Sequence, residues 1–324
     1  MSSVARARLA VALFAGVMLA LPLVANDYAL SVLILVLFAA YLGQAWNIMM
    51  GFAGLLSIGH ALYVGLGAYA SAALFVHFGI VPWIGMVAGT LLAALVGSAI
   101  GALGFRFGVA GVYFALLTIA FAEFTRILFD HFDWVGGSAG LFLPVSNRAT
   151  SDLLTLRGAP VMFYYLMLAL TAAVFALCRF LLRRRIGYYW LAIREEPHAA
   201  EATGIDLFRY KLAAVAISAA ITALGGAMQA FYYNNLYPET VFSTGRSVEL
   251  MLAPIVGGLG TLFGPILGAF LLTFLGEALT AVTETVRIDG IKQLLYGVVL
   301  LLIVAVRPAG IWPWLRERLG VAET

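Results

Sequence analysis

A few ionisable and hydroxyl-bearing residues set into apolar runs are the best candidates for chemistry in this sequence. Glu123 lies inside a long apolar stretch. A carboxylate at membrane depth costs roughly 2.5–3.5 kcal/mol to insert, so it must face a helix bundle or an aqueous cavity. Arg126 follows three residues later on the same helical face. The two form either a structural pair near an interface or part of a solute path. Glu249 and Glu277 carry the same two readings near helix ends, and Thr118 offers a hydroxyl to a path or to its own backbone. Ser57 and His60 sit in a segment broken by Gly51, Gly54, Gly59, Gly65 and Gly67. Such glycines permit close helix packing or a broken segment that lines a cavity.

Catalysis has no support in the remaining residues. His77, His131 and His198 are too scattered for metal-ligand spacing, and the single cysteine, Cys178, allows neither an internal disulfide nor a thiolate site. No nucleophile motif or cofactor loop is present, so no cofactor is expected. The phosphate-cradling pattern G-x-x-x-x-G-K-[ST] is absent, which leaves the energy for any transport to a partner or an ion gradient.

The elements that must position these residues are membrane helices. Hydrophobic residues make up 63% of the 324 and charged residues 11%, against about 25% charged in a soluble domain. Candidate spans of roughly 20 apolar residues are Leu9–Ala25, Tyr28–Met49, His60–Val76, Pro82–Gly104, Gly111–Phe129, Val161–Leu182, Leu212–Tyr232, Val248–Val256, Leu262–Val282 and Ile291–Val306. The first also fits a cleaved secretory signal and is taken as a helix. The eighth is short, either a half-helix or fused with the ninth. The expectation is a single all-α polytopic membrane domain over residues 1–324, with about nine or ten transmembrane or half-spanning helices and glycine-broken segments.

Basic residues orient it. With the N-terminus inside and residues 248–282 as a hairpin, Arg6, Arg8, Arg106, Arg179, Arg183, Arg184, Arg185, Arg194, Arg209, Lys211, Arg307, Arg316 and Arg318 face the cytoplasm. Arg126, Arg148, Arg157, Arg246, Arg287 and Lys292 face out. That imbalance matches the positive-inside rule, puts both termini in the cytoplasm and argues against a nucleic-acid partner. The loop over about 130–160 is then external and that over about 183–211 internal. Trp83, Trp134, Trp190, Trp312 and Trp314 fall near span ends and read as interface anchors.

The internal loop is the longest polar stretch. Pro197 suits the first turn of a short helix beside Glu195 and Glu196, alanines favour it, and Gly204 stops it. Such a helix is either a solvated connector or a docking element. A weak internal repeat adds to this, because Gly51–Gly59 and Gly257–Pro265 are both glycine-broken runs leading into a span.

Several segments together are specific. They are Trp46-Asn47 followed by Gly51–Ser71, Gly111–Phe124, Gly136-Gly137-Ser138 with Gly140-Leu141, Ala192–Asp206, Ser247–Leu250, Gly257–Gly268 and Arg307-Pro308. In this order they resemble the permease subunits of branched-chain amino acid ABC importers, a family that includes urea and short-chain amide permeases. The resemblance implies a bacterial inner-membrane subunit paired with a second, related permease. It also implies two cytoplasmic ABC ATPase subunits and a periplasmic solute-binding protein. It assigns ATPase coupling to Arg194, Glu195, Glu196, Pro197, Ala200, Gly204 and Ile205. Asn47, Gly54, Ser57, Gly59, His60, Thr118 and Glu123 become the candidate translocation path, with Gly136, Gly137 and Ser138 in the external loop. Trp134-Val135, Ala139 and the run Phe107–Ala110 depart from the family pattern, and the first two, in the external loop, leave the solute open among branched-chain amino acids, urea and amides. The competing function is an ion-coupled secondary transporter, for which Glu123 is the one suitable membrane carboxylate.

Overall fold

Asn26 begins the first long helix by accepting the Ala29 amide on its side chain at 2.8 Å, a cap that satisfies one free donor of the first turn. The computed structural model describes residues 16–144, 152–283 and 291–319. Residues 9–15 of the expected first span, Leu9–Ala25, lie outside these residues, as do Arg148 and Arg287. Among the described residues the chain is almost wholly helical, as expected, with one two-residue strand pair.

The long helices are α1 (Asp27–Asn47), α2 (Ala61–Phe78), α3 (Pro82–Arg106), α4 (Val112–Asp130) and α5 (Pro160–Leu182). Two short ones follow, α6 (Arg185–Glu195) and α7 (Pro197–Ala202), and then the long α8 (Leu207–Tyr233). The remainder are α9 (Pro238–Val241), α10 (Thr244–Gly257), α11 (Gly264–Thr283), α12 (Ile291–Val306) and α13 (Ile311–Leu319). Helix α1 runs on through a π-turn, Ile48–Phe52. Six of these helices are long and apolar enough to cross a membrane: α1 with its π-turn, α2, α3, α4, α5 and α8.

Burial sorts their roles. Of the apolar window of α1, 78% is buried, against 28% for α4. A helix apolar all round and buried all round is a core helix. Helix α1 packs against α5, α8, α10 and α11, and the Tyr41 hydroxyl donates to Ile221 O at 2.8 Å to tie it to α8. A second layer joins α2, α3 and α8. There a side-chain carbon on Gly67 would strike the Ala223 carbonyl, and one on Gly226 the Val64 carbonyl, so these backbones touch directly. Small residues allow this approach, which is how helices associate where lipid removes the hydrophobic drive.

The uncertain eighth span is settled as a separate half-helix. Helix α10 has 14 residues, about 21 Å of rise, short of the roughly 30 Å hydrocarbon core. Ser243 caps its start by accepting the Arg246 amide at 3.1 Å. A glycine turn with φ of 133° at Gly258 and 76° at Gly260 separates it from α11.

Three expectations need correction. The 183–211 segment holds two short helices rather than one, and α8 begins at Leu207, five residues before the expected span. Asp206 explains the early start: it accepts the Arg209 amide at 3.1 Å and pairs with the Arg209 guanidinium at 2.9 Å. Trp190 is no interface anchor. It is fully buried in α6, and its ring N–H donates to Tyr210 O at 2.8 Å.

Candidate functional site

The two glycine-broken segments meet, and two side chains clamp them together. Asn47 ends α1 and is buried. Its amide nitrogen donates to Thr261 O at 2.9 Å, and its amide oxygen accepts the Gly260 N–H at 2.8 Å. One primary amide therefore satisfies a donor and an acceptor of the turn between α10 and α11. Thr261 finishes that turn by donating to Gly258 O at 2.8 Å and accepting the Gly264 N–H at 3.0 Å, which begins α11.

Arg194 reaches the same place from α6. Its Nη1 donates to Gly51 O at 2.6 Å, while Nη2 and Nε hold Glu195 at 2.6 and 3.1 Å. Gly51 lies in the π-turn, where one carbonyl is left for an outside donor. Side-chain carbons on the neighbouring turns would collide with this arginine. One on Gly260 would lie 2.6 Å from Nη1, and one on Gly54, where φ is 70°, would lie 3.0 Å from Cγ. The glycines are thus required by the approach of Arg194 as well as by the turns. Hydrogen bonds and close contacts thus join the charged segment, the broken end of α1 and the α10–α11 turn.

Deeper in the bundle lies a closed polar network. Ser218 on α8 donates to Ala45 O at 2.7 Å, so its oxygen is left to accept from His60 Nε2 at 2.9 Å. His60 Nδ1 then accepts from the Ser57 hydroxyl at 3.0 Å. In a neutral imidazole this geometry puts the proton on Nε2. Trp46 donates its ring N–H to Ser57 O at 2.8 Å. Thr118 donates to Ala115 O at 2.7 Å and accepts the Ile58 N–H at 3.1 Å, and a side-chain carbon on Gly59 would strike the Thr118 carbonyl. Ser57, His60, Gly59 and Thr118 are thereby brought together.

Glu123 is not part of this group. It accepts from Arg126 Nε at 2.8 Å and from the Thr244 hydroxyl at 3.1 Å, and Arg126 also holds Asp130 at 3.0 Å. A second pair, Arg246 and Glu249 at 3.1 Å, lies on α10. Side-chain exposures of 38% for Glu123 and 47% for Glu249 leave this flank of α4 and α10 open.

In the charged segment, Pro197 opens α7 and Glu196 precedes it without a side-chain cap. The Gly204 N–H donates to Glu201 O at 2.9 Å and the Ile205 N–H to Ala200 O at 3.2 Å, with Gly204 at φ 88°. This paired 5→2 and 6→1 closure is the Schellman stop that Gly204 foretold. Only Ala200 of α7 is buried; Glu196, His198, Ala199 and Glu201 face out. At the other end, Gly136, Gly137 and Ser138 form tight turns at φ of 92° and 52° for the glycines. The next residues pair as a strand, Leu141 with Leu236 and Phe142 with Asn235, which fixes this loop to the end of α8.

Sequence reasoning missed Ser218, Thr261 and Gln44. The Gln44 amide is buried in α1 with no partner among the described residues. The one available signal was a polar residue inside each apolar run.

Comparison with known proteins agrees with this architecture. Residues 24–304 match the family described as branched-chain amino acid transport system / permease component. The chain is 30% identical over 300 residues to the high-affinity branched-chain amino acid transport system permease protein LivM of Escherichia coli, covering 86% of this chain and 68% of that one. The Salmonella typhimurium LivM gives the same identity and coverage. A probable branched-chain amino acid transport permease protein LivM of Methanocaldococcus jannaschii is 23% identical, with 84% of each chain covered. No solved structure matches the chain.

Proposed function

The chain belongs to the family of permease components of branched-chain amino acid transport systems, and on that premise we propose that it is one half of the membrane pathway of an ABC importer working by alternating access. Two ATPases act on the face that carries α6 and α7, which is the cytoplasmic face of an inner membrane. A solute-binding protein delivers a branched-chain amino acid to the opposite face, where Gly136, Gly137 and Ser138 lie. The observation that carries the reading is the Arg194 bridge. A motor gripping the outward-facing residues of α7 moves α6, and Arg194 passes that movement to Gly51 and the Gly258–Gly264 turn. Movement of those turns biases two arrangements of the helices that they join.

The open flank of α4 and α10 is the seam with the second permease. Glu123 is seven residues before the end of α4, about 10 Å below it. Charges exposed sideways at that depth are costly in lipid, and a protein partner or an aqueous path at the seam removes that cost.

Substituting Glu196→Arg together with Gly204→Arg tests the docking role. Arginine at Gly204 forces a side chain into a left-handed position, and arginine at Glu196 reverses the charge at the start of α7. Co-purification of the ATPase subunits should fall, and uptake with it, by about ten-fold or more. Assembly and uptake equal to the unsubstituted complex would remove α7 from the motor interface.

A further inference from the structure

At the end of the bundle that carries α6 and α7, the chain leaves α12 at Val306 and resumes as α13 at Ile311. Gly310 N donates to Arg307 O at 2.8 Å to close the turn between them. Close contacts fix α13 in place. A side-chain carbon on Gly310, where φ is 88°, would strike Gly258, and one on Gly258 would lie 2.9 Å from Pro313 Cδ. Gly258 belongs to the α10–α11 turn, whose Gly260 touches Arg194 of α6, so α13 shares that end of the bundle. The Trp312 ring packs on Phe263, with 4.9 Å between centroids.

Held there, α13 brings two cations to one ring. The guanidinium carbon of Arg318 lies 4.6 Å from the centre of a Trp314 ring, and that of Arg307, from the end of α12, lies 5.5 Å from it. Each cation is attracted to the ring face, yet the two repel each other. Among the described residues neither arginine has a carboxylate at ion-pair distance, and Glu317, exposed next to Arg318, pairs with neither. Both arginines are exposed, so an anion has free access to them.

The surroundings narrow the choice of anion. Leu294, Val298, Leu301, Leu302 and Val306 are exposed along α12, which carries no charge between Leu294 and Val306, and Arg307 follows directly. The open flank of α4 and α10 carries Glu123, Arg126, Arg246 and Glu249; this strip holds nothing that hydrocarbon would reject. Acyl chains lying along it put their head groups level with Arg307. Tryptophan belongs at that level of a membrane, and a helix with an apolar face and arginines lies in its plane.

We propose that Arg307 and Arg318 together bind the phosphate of an anionic phospholipid whose acyl chains run along α12. A phosphate has acceptors for both guanidiniums, and its charge relieves their repulsion. The transport reading enters only in making the leaflet the cytoplasmic one, whose surface is negative.

The test uses the full chain in detergent micelles without ATPases, with phosphatidylglycerol and phosphatidylcholine as competing probes and retained lipid counted by native mass spectrometry. Phosphatidylglycerol should bind saturably and in preference to phosphatidylcholine. Arg307→Gln and Arg318→Gln should each weaken it about five-fold, and the double variant about twenty-fold or more. Arg307→Lys with Arg318→Lys should keep most of the preference, since a phosphate also accepts point charges. Arg106→Gln, at the exposed end of α3, should leave it unchanged. Four results overturn the site: no preference for phosphatidylglycerol, an Arg106→Gln loss equal to that of the double variant, displacement by glycerophosphoglycerol as readily as by the intact lipid, or displacement by added ATPase subunits. The third would make it a site for a free phosphate ester and the fourth a docking patch for the motor. Because no ATP or uptake is involved, failure here leaves the coupling role of Arg194 untouched, and loss of coupling leaves this binding intact.

Discussion

Arg194→Ala should leave the complex assembled and its basal ATP hydrolysis intact while uptake falls by about five- to 150-fold. That range corresponds to a coupling free energy of about 1–3 kcal/mol. Among the described residues the one hydrogen bond from α6 to the π-turn, Arg194 Nη1 to Gly51 O, is charge-assisted; such bonds contribute about 1.5–3 kcal/mol. Alanine removes it without opening a core cavity, because Arg194 is exposed at the surface of α6. Helix α6 itself is held by buried Trp190 and Ile193 and should remain in place. Arg194→Lys should recover part of the uptake, since an ammonium reaches one acceptor as a point charge and lacks the fork that holds Glu195 at the same time. Uptake into proteoliposomes, measured beside ATP hydrolysis in the same vesicles, separates coupling from assembly. A parallel loss of both activities would make Arg194 a structural residue, and full retention of uptake would place the mechanical link elsewhere.

Gly67→Val should prevent the chain from accumulating as a folded protein. A side-chain carbon at this position would overlap the Ala223 carbonyl, with Ala223 Cα only 2.6 Å away. Backbone cannot rotate aside as a side chain does, so α2 and α8 must separate. That loosens the α2–α3–α8 layer, where Gly89 also packs on Gly67 with a side-chain carbon 3.0 Å from its Cα. Overpacking alone costs about 1–3 kcal/mol; losing an interface on top of it consumes much of the roughly 5–15 kcal/mol that keeps a protein folded. Gly297→Ala on α12 is the control, since nothing lies within 4 Å of a side-chain carbon there. Size-exclusion profiles of the detergent-extracted variants decide it. A monodisperse Gly67→Val with the yield of Gly297→Ala would show that the helices do not touch as described.

Much of this architecture was legible because its causes are local. Apolar length marked the six long helices, and Pro197 and Gly204 marked the ends of α7 through first-turn geometry and a left-handed stop. Gly51–Gly59 and Gly257–Pro265 stood out as broken segments. What stayed hidden depends on distance along the chain. Arg194 and Gly51 are 143 residues apart, and His60 and Ser218 are 158 apart. No spacing rule links them. Helix α6 was obscured because its arginines and tyrosines read as loop, whereas burial of Trp190 fixes it. Glu123 drew notice as the carboxylate deepest in a run, yet its salt bridge and the Thr244 bond tie it to the flank of the bundle, apart from the His60 network.

The most direct test of the account is the sidedness of position 198. Cys178 is buried and is the sole cysteine, so a Cys178→Ser chain carrying His198→Cys presents one reactive thiol on the exposed surface of α7. In oriented membrane vesicles, a membrane-impermeant maleimide should modify that thiol only from the cytoplasmic side, and bound ATPase subunits should shield it. Modification from the opposite side, or labelling unchanged by the ATPases, would contradict the account.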